Sequence, residues 1–154
     1  MRQADAPDLA PPGDGIVEEH RRLHVCLEKV EAALSAARPP EAAAVARLAS
    51  TLAELAPFLR AHFAREEEEG FFDRVQATWP HAAGTCERLV GEHRTLLARL
   101  ERLQDESGAG LATEEAVSTL MAGARTLLKD LVRHEELENE LIVGALDDAM
   151  AAQD

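Results

Sequence analysis

Apolar residues recur at the spacing of an α-helix in four stretches of the chain. The stretches run from about Ile16 to Ala37, Glu41 to Ala77, His81 to Glu106, and Thr113 to Met150. In the first stretch, Leu23, Leu27, Val30 and Leu34 share one face. A helix with one apolar face must bury that face against a partner, so the pattern predicts helices that pack on one another.

Proline and glycine mark where these helices should end or bend. Pro39 and Pro40 separate the first two stretches, and Ser107–Gly110 forms a loop before Thr113, a predicted N-cap. Pro57 predicts a kink in the second stretch, and Gly70 interrupts it. Short connections join antiparallel neighbours. The prediction is an all-α fold, an up-down-up-down antiparallel four-helix bundle over residues 15–150, preceded by a flexible N-terminal arm over residues 1–14.

The two halves of the sequence resemble each other. Val17–Leu23 matches Val90–Leu96 at the Val, Glu, His, Arg and Leu positions, which pairs His20 with His93. The same offset, changed by one residue, pairs His62 with His134 and Glu66 with Glu138. A period of about 72 residues with only two copies predicts a bundle with an internal pseudo-twofold, two-helix repeat.

The repeated residues are those that bind metals. His62 and Glu66, like His134 and Glu138, are four residues apart and therefore lie on one helical face. A single His-x-x-x-Glu pair is usually a solvated ion pair. Two copies, each preceded by a Glu-His pair at a matching distance, favour a metal site, because burying these groups without a metal would be costly. Imidazole and carboxylate together suit iron, manganese or zinc.

This pattern of one His, His-x-x-x-Glu, one His and His-x-x-x-Glu resembles the hemerythrin-like, HHE cation-binding domain, over about residues 16–147. The resemblance implies a four-helix bundle that holds two iron ions joined by an oxo or hydroxo bridge, with zinc or manganese as alternatives. It implies terminal imidazole ligands and two bridging carboxylates. By position these are His20, His62, His93 and His134, with Glu66 and Glu138.

One departure concerns a further histidine ligand. Oxygen-carrying hemerythrins have a His-x-x-x-His pair on the third helix, whereas here the pair is His20 and His24 on the first. If His24 is a ligand, five His, two bridging Glu and an oxygen bridge fill eleven of about twelve positions and leave one open. If His24 is not a ligand, either more positions are open or a further carboxylate fills one, with Glu135 and Glu67 as the candidates.

Composition and charge exclude some classes of binding partner. With 16 Lys and Arg against 29 Asp and Glu, the formal charge is −13, which argues against nucleic acid and against anionic membranes. No secretory signal or membrane-spanning helix is predicted, and Cys26 and Cys86 fit a reduced, cytoplasmic protein. The sequence leaves any protein partner unknown.

The implied function is binding of a small ligand, such as dioxygen, peroxide or nitric oxide, by a binding, sensing or stress protein. One alternative is a di-iron oxidoreductase that disproportionates peroxide or oxidises ferrous iron, so the sequence does not decide whether the chain is an enzyme. A second alternative is an interaction bundle that is metal-free or holds zinc.

Overall fold

The computed structural model describes residues 14–36, 42–111 and 113–151, and all the regular structure in these ranges is helical. The helices are α1 (Asp14–Ala36), α2 (Ala42–Glu68), α3 (Phe71–Thr78), α4 (Ala83–Gly108) and α5 (Glu114–Ala151), with a 3-10 turn at Pro80–Ala82. The all-α prediction is therefore confirmed. The arm predicted for residues 1–14 lies, apart from Asp14, outside the described residues, as do Pro39 and Pro40.

The second predicted helix is in fact two helices. Gly70 has a φ of 69°, in the left-handed region that glycine adopts without a steric penalty, and it separates α2 from the short α3. Pro57 lies inside α2, which continues through it. At the start of α5, the backbone N–H of Ala116 donates to Thr113 Oγ1 at 3.1 Å, which confirms Thr113 as a cap.

The four long helices contact one another in a closed ring: α1 with α2, α2 with α4, α4 with α5, and α5 with α1. Helix α3 lies against α2, α4 and α5. Each long helix presents its apolar stripe to the interior, and burial of this surface is the main stabilising contribution to such a fold.

The interior consists of two apolar clusters. The larger contains leucines of all four long helices, and the smaller lies under α3 around Phe71, Phe72 and Leu141. Along α1, α4 and α5, the buried histidines and glutamates come between residues of these two clusters, and in α2 they lie at the end of the residues that belong to the larger cluster. In α1, for example, His20 lies between Ile16 of the smaller cluster and Leu23 of the larger. The fold therefore holds a polar layer inside an apolar core.

Helix α2 corrects one expectation. It is long and apolar enough to cross a membrane by length and composition alone, although no such segment was predicted. Packing accounts for its apolar residues, because Leu48, Leu52, Leu55 and Leu59 all lie in the larger core cluster. The same helix also buries His62 and Glu66 of the polar layer.

Candidate metal centre

Six of the seven predicted ligands meet in the polar layer. They come from all four long helices: His20 from α1, His62 and Glu66 from α2, His93 from α4, and His134 and Glu138 from α5. Every one of them is less than 9% exposed. The four-residue spacing does place each pair on one helical face, with Nε2 to carboxylate distances of 3.2 Å in α2 and 2.9 Å in α5.

The histidines form two groups with the carboxylates between them. Potential ligand atoms of His20, His62, Glu135 and Glu138 lie within 4.8 Å of one another, as do those of His93, His134 and Glu138. The structure thus brings donors together as two adjacent sets, each with at least two imidazoles.

Glu66 and Glu138 each face both groups. Glu66 Oε1 is 3.2 Å from the Nε2 atoms of His20 and His62, while its Oε2 is 3.5 Å from His93 Nε2. Glu138 Oε1 is 2.9 Å from His134 Nε2, and its Oε2 is 3.7 Å from His20 Nε2. One oxygen of each carboxylate is therefore directed to each histidine group.

Many polar atoms of this layer are buried without hydrogen bonds. Within the described residues, eight such atoms occur: Nε2 of His62, His93 and His134, Oε2 of Glu66, and both side-chain oxygens of Glu135 and Glu138. A buried polar atom left in this state costs about 1–3 kcal/mol. Cation coordination would satisfy all eight, and imidazole nitrogens with carboxylate oxygens form a donor set that suits iron, manganese or zinc. The residues therefore fit a metal centre.

The outward-facing nitrogen of each histidine has its own acceptor. His93 Nδ1 lies 2.7 Å from Glu67, and His134 Nδ1 lies 3.0 Å from Glu92. The other two pairs are His62 with Glu19 at 3.3 Å and His20 with Asn139 at 3.1 Å. A proton held on Nδ1 by such an acceptor leaves Nε2 available to a metal and fixes the orientation of the ring.

Sequence reasoning did not assign these outer partners. A signal for two of them was present, because Glu19 and Glu92 each directly precede an inner histidine. Adjacent residues on a helix point in directions about 100° apart, so the glutamate of each Glu-His pair points away from its own histidine. It contacts the inner histidine of the next long helix instead.

The electrostatics of the layer favour the charged forms of His62, His134 and Glu138. Burial lowers the pKa of His62, but nearby carboxylates, Glu135 and Glu66 among them, outweigh burial and raise it to about 9. His134 follows the same pattern, with Glu138 as the main partner, and its pKa also rises to about 9. Burial would raise the pKa of Glu138, yet the close imidazoles of His134 and His93 hold it at about 2.

The pKa values of His20 and Glu66 are also raised. Burial opposes protonation of His20, but the carboxylates around it, Glu66 first, still raise its pKa. Burial also raises the pKa of Glu66, and the hydrogen bond from His20 only partly offsets this. Without metal, the layer therefore holds protons that a cation would have to displace.

The predicted ligand His24 is the exception and requires correction. Its side chain is 69% exposed and pairs with Glu28, 3.3 Å away, on the outer face of α1. The core stripe of α1 continues from His20 to Leu23, three residues on, so His24 falls outside it.

The two glutamates considered in place of His24 lie in different environments. Glu135 is buried, with its oxygens 3.6 Å from His62 Nε2 and 3.7 Å from His20 Nε2. Glu67 is 47% exposed and meets the outer nitrogen of His93, so it orients that ring from outside the inner set.

A comparison with protein families agrees with this geometry. Residues 12–146 match the family described as the hemerythrin HHE cation binding domain, which covers most of the chain. The chain belongs to this family. Neither the comparison with curated proteins nor that with solved structures found a match. The hemerythrin-family assignment confirms the resemblance drawn from the four His and Glu motifs, and the buried clusters fit the metal-binding character that the family's description states.

Proposed function

We propose that this chain is a non-heme di-iron protein that binds a small ligand, such as dioxygen, peroxide or nitric oxide, at a carboxylate-bridged centre. The observation that carries the proposal is the position of Glu66 and Glu138. Each directs one oxygen to one histidine group and its other oxygen to the other group, which is the arrangement that two bridging carboxylates require. Two metal positions follow more naturally from this arrangement than one.

The bundle that holds the centre is proposed to be up-down-up-down. Lys29 pairs with Glu54 at 3.2 Å and His20 with Glu66 at 3.2 Å, so α2 numbers fall as α1 numbers rise. The same reversal relates α2 to α4, through Arg60–Glu101 and His93–Glu66. It relates α4 to α5, through Arg99–Asp130 and His134–Glu92. It also relates α1 to α5, through Arg125–Leu34 and His20–Asn139.

The outer partners support the proposed pseudo-twofold repeat. At an offset of 73 residues Glu19 corresponds to Glu92, and both contact the Nδ1 of the histidine on the following helix. At an offset of 72, Glu67 corresponds to Asn139, and these contact the two histidines of α4 and α1. The repeat thus extends beyond the inner residues to the groups that orient them.

The protein residues have defined roles in this proposal. Iron, when bound, supplies a Lewis acid and a redox-active centre. The four inner histidines offer Nε2, the outer acceptors hold the protons on Nδ1, and the two apolar clusters restrict water on either side of the layer. A site enclosed in this way admits small ligands better than bulky substrates, which favours ligand binding over catalysis on a large substrate.

Metal analysis of protein purified from iron-replete cells tests the proposal. We expect close to two iron atoms per chain, and Glu66→Ala should reduce the count, because it removes a group shared by both positions. His81→Ala is the control, since His81 is exposed and remote from the layer in sequence and should leave the count unchanged. Less than about one metal per chain would overturn the di-metal proposal.

Ligand binding needs a separate measurement. A visible charge-transfer band that appears with oxygen and disappears on degassing would support reversible binding. Rapid oxygen evolution from added peroxide would instead support the oxidoreductase function. A protein that retains zinc alone, with neither response, would support the interaction bundle.

A further inference from the structure

A cleft opens at the junction of α2, α3 and α4 and extends to the polar layer. Its volume is about 370 Å³, and its wall comes from the end of α2, from α3 and from the first part of α4. Gly70, which separates α2 from α3, belongs to the wall and has no side chain to narrow the cleft. The wall also includes Glu66, so the cleft connects the surface with an inner residue of the layer.

Four carboxylates line this cleft, and their exposure decreases towards the interior. Asp73 and Glu87 are exposed, Glu67 is 47% exposed, and Glu66 is fully buried. None of the described residues in the wall carries a positive charge. We call it the acidic cleft, because its charge is negative from the surface to the layer.

One basic side chain lies near the rim of the acidic cleft. Arg74 follows Asp73 on α3, but it donates to the backbone oxygen of Glu69 and is not part of the wall. The carboxylates of the cleft therefore keep most of their negative charge.

The inner end of the acidic cleft holds an acceptor without a partner. Glu66 Oε2 is buried and accepts no hydrogen bond from the described residues. It lies 3.5 Å from His93 Nε2, and the other oxygen of the same carboxylate faces His20 and His62. An unsatisfied buried acceptor is costly, and a cation that arrives through the cleft would satisfy it.

A second cleft, between α4 and α5, has the opposite character. Three arginines line it, Arg88, Arg99 and Arg133, together with Glu92 and Asp130, and its wall includes none of the six inner residues of the layer. A concave surface lined by one sign of charge focuses the electric field and raises the local concentration of the opposite ion. The acidic cleft therefore attracts cations, whereas the arginine-lined cleft opposes them.

The acidic cleft has room for a hydrated divalent cation. Six waters occupy about 180 Å³, at about 30 Å³ for each water of the liquid, which is well below the volume of the cleft. Carboxylate and water oxygens are both suitable ligands for divalent cations. A cation can therefore enter with its waters and exchange them for carboxylate oxygens on the way inwards.

We propose that the acidic cleft is the route by which a hydrated divalent cation enters the polar layer. Asp73 and Glu87 attract the cation at the surface, and Glu66 receives it at the inner end. This inference rests on the metal-binding part of the proposed function. It assigns a role to exposed carboxylates that are not ligands in the final centre.

The rate of metal loading tests the proposal. Metal-free protein is mixed with excess Co²⁺ in a stopped-flow instrument, and the visible absorption of the bound ion is followed. Asp73→Asn combined with Glu87→Gln should slow loading by about tenfold, the lower end of the 10–10³-fold that electrostatic focusing contributes to association rates. Added salt should slow loading of the unaltered protein more than loading of this double variant.

The same double variant should leave the final state unchanged. Asp73 and Glu87 are exposed and are not part of the buried layer, so the number of Co²⁺ ions bound and their final spectrum should equal those of the unaltered protein. Release of Co²⁺ to a chelator should slow by the same factor as loading, because the ion leaves by the route through which it entered.

Two controls match the perturbation. Glu136→Gln combined with Glu140→Gln removes the same charge from exposed positions of α5 outside the cleft and should leave the loading rate unchanged. Val90→Lys adds a positive charge to the wall without removing a carboxylate and should also slow loading. Val132→Lys makes the same exchange at a valine of α5 with the same 36% exposure, outside the wall, and should not.

The failures of the two proposals can be told apart. If the unaltered protein takes up no Co²⁺, metal binding fails and this inference fails with it. If it takes up two ions, but both the double variant and Val90→Lys load at the unaltered rate, the di-metal function stands and the entry route is overturned. Unchanged loading with faster release in the double variant would also overturn the route, because Asp73 and Glu87 would then stabilise the bound ions instead.

Discussion

Metal binding to this layer should be strongly coupled to proton release. The pKa values of His62 and His134 are both about 9, and Nε2 of each faces the inner carboxylates. At pH 7 both imidazoles are therefore protonated, and a cation must displace the proton on each Nε2. The physical cause is the excess of buried carboxylate, which stabilises either imidazolium ions or a metal.

The effect of these protons on metal affinity follows from the difference between pH 7 and the two pKa values. Two pKa units correspond to about 3 kcal/mol for each imidazole, which is about 100-fold in affinity. With His62 and His134 both displaced, the logarithm of the affinity should rise by about two per pH unit between pH 6.5 and 8.5. It should level off above about pH 9, where the imidazoles are already neutral.

The assay is Zn²⁺ binding by calorimetry at pH 7 in buffers of different ionisation enthalpy, which counts the protons released. We expect at least two, since the pKa of His20 is raised as well. His24→Leu and His81→Ala are the controls, because both side chains are exposed, and neither should alter the count. Release of fewer than one proton, with an affinity nearly independent of pH, would refute the reasoning.

Three further predictions concern orientation, stability and packing. Glu92→Gln weakens the acceptor for His134 Nδ1 and should lower metal affinity by about 10–100-fold, as measured by chelator competition. The metal-free protein should lose stability as the pH rises from 6.5 to 9.5. The folded state favours protonated His62 and His134, whose pKa values are about 9 there against 6.5 in the unfolded chain, so this stabilisation is complete below pH 6.5 and lost above about pH 9. Urea unfolding measures the loss. Gly144→Ala should cost about 1–3 kcal/mol in the same unfolding assay, because its Cβ would lie 2.3 Å from the Trp79 ring.

Each of these has an informative control. Glu136→Gln, at an exposed site, should leave metal affinity unchanged, and an equal loss in both variants would contradict an orienting role for Glu92. A metal-free protein whose stability is constant from pH 6.5 to 9.5 would contradict the raised pKa values. Gly91→Ala should stabilise by up to about 1 kcal/mol, because the new Cβ meets no atom within 4 Å in a helix; similar effects at both glycines would exclude the clash with Trp79.

The amino-acid sequence by itself determined the helices and the inner residues of the site. Apolar spacing of three and four residues requires amphipathic helices, and a His-x-x-x-Glu pair must share a helical face, whatever the helix packs against. These two rules, together with the repeat, are local properties of the chain. They were sufficient to predict that His62, Glu66, His134 and Glu138 would lie together with His20 and His93.

The alternation within the stripe could have excluded His24. Positions that face a bundle core recur every 3.5 residues on average, so steps of four and three alternate. In α1 the step of four from Ile16 to His20 is followed by a step of three to Leu23. His24 is four residues beyond His20 but one beyond Leu23, which faces the core at this turn, so His24 lies outside the buried stripe and is 69% exposed.

Only the tertiary structure decided the surroundings of Glu135 and of the outer acceptors. Glu135 follows an inner histidine and lies at the edge of the stripe of α5, where burial depends on how closely α1 and α2 approach. Whether Glu19 and Glu92 meet an imidazole likewise depends on the level at which the next helix passes. Helical periodicity specifies which way a side chain points on its own helix, but the positions of neighbouring helices specify what it meets.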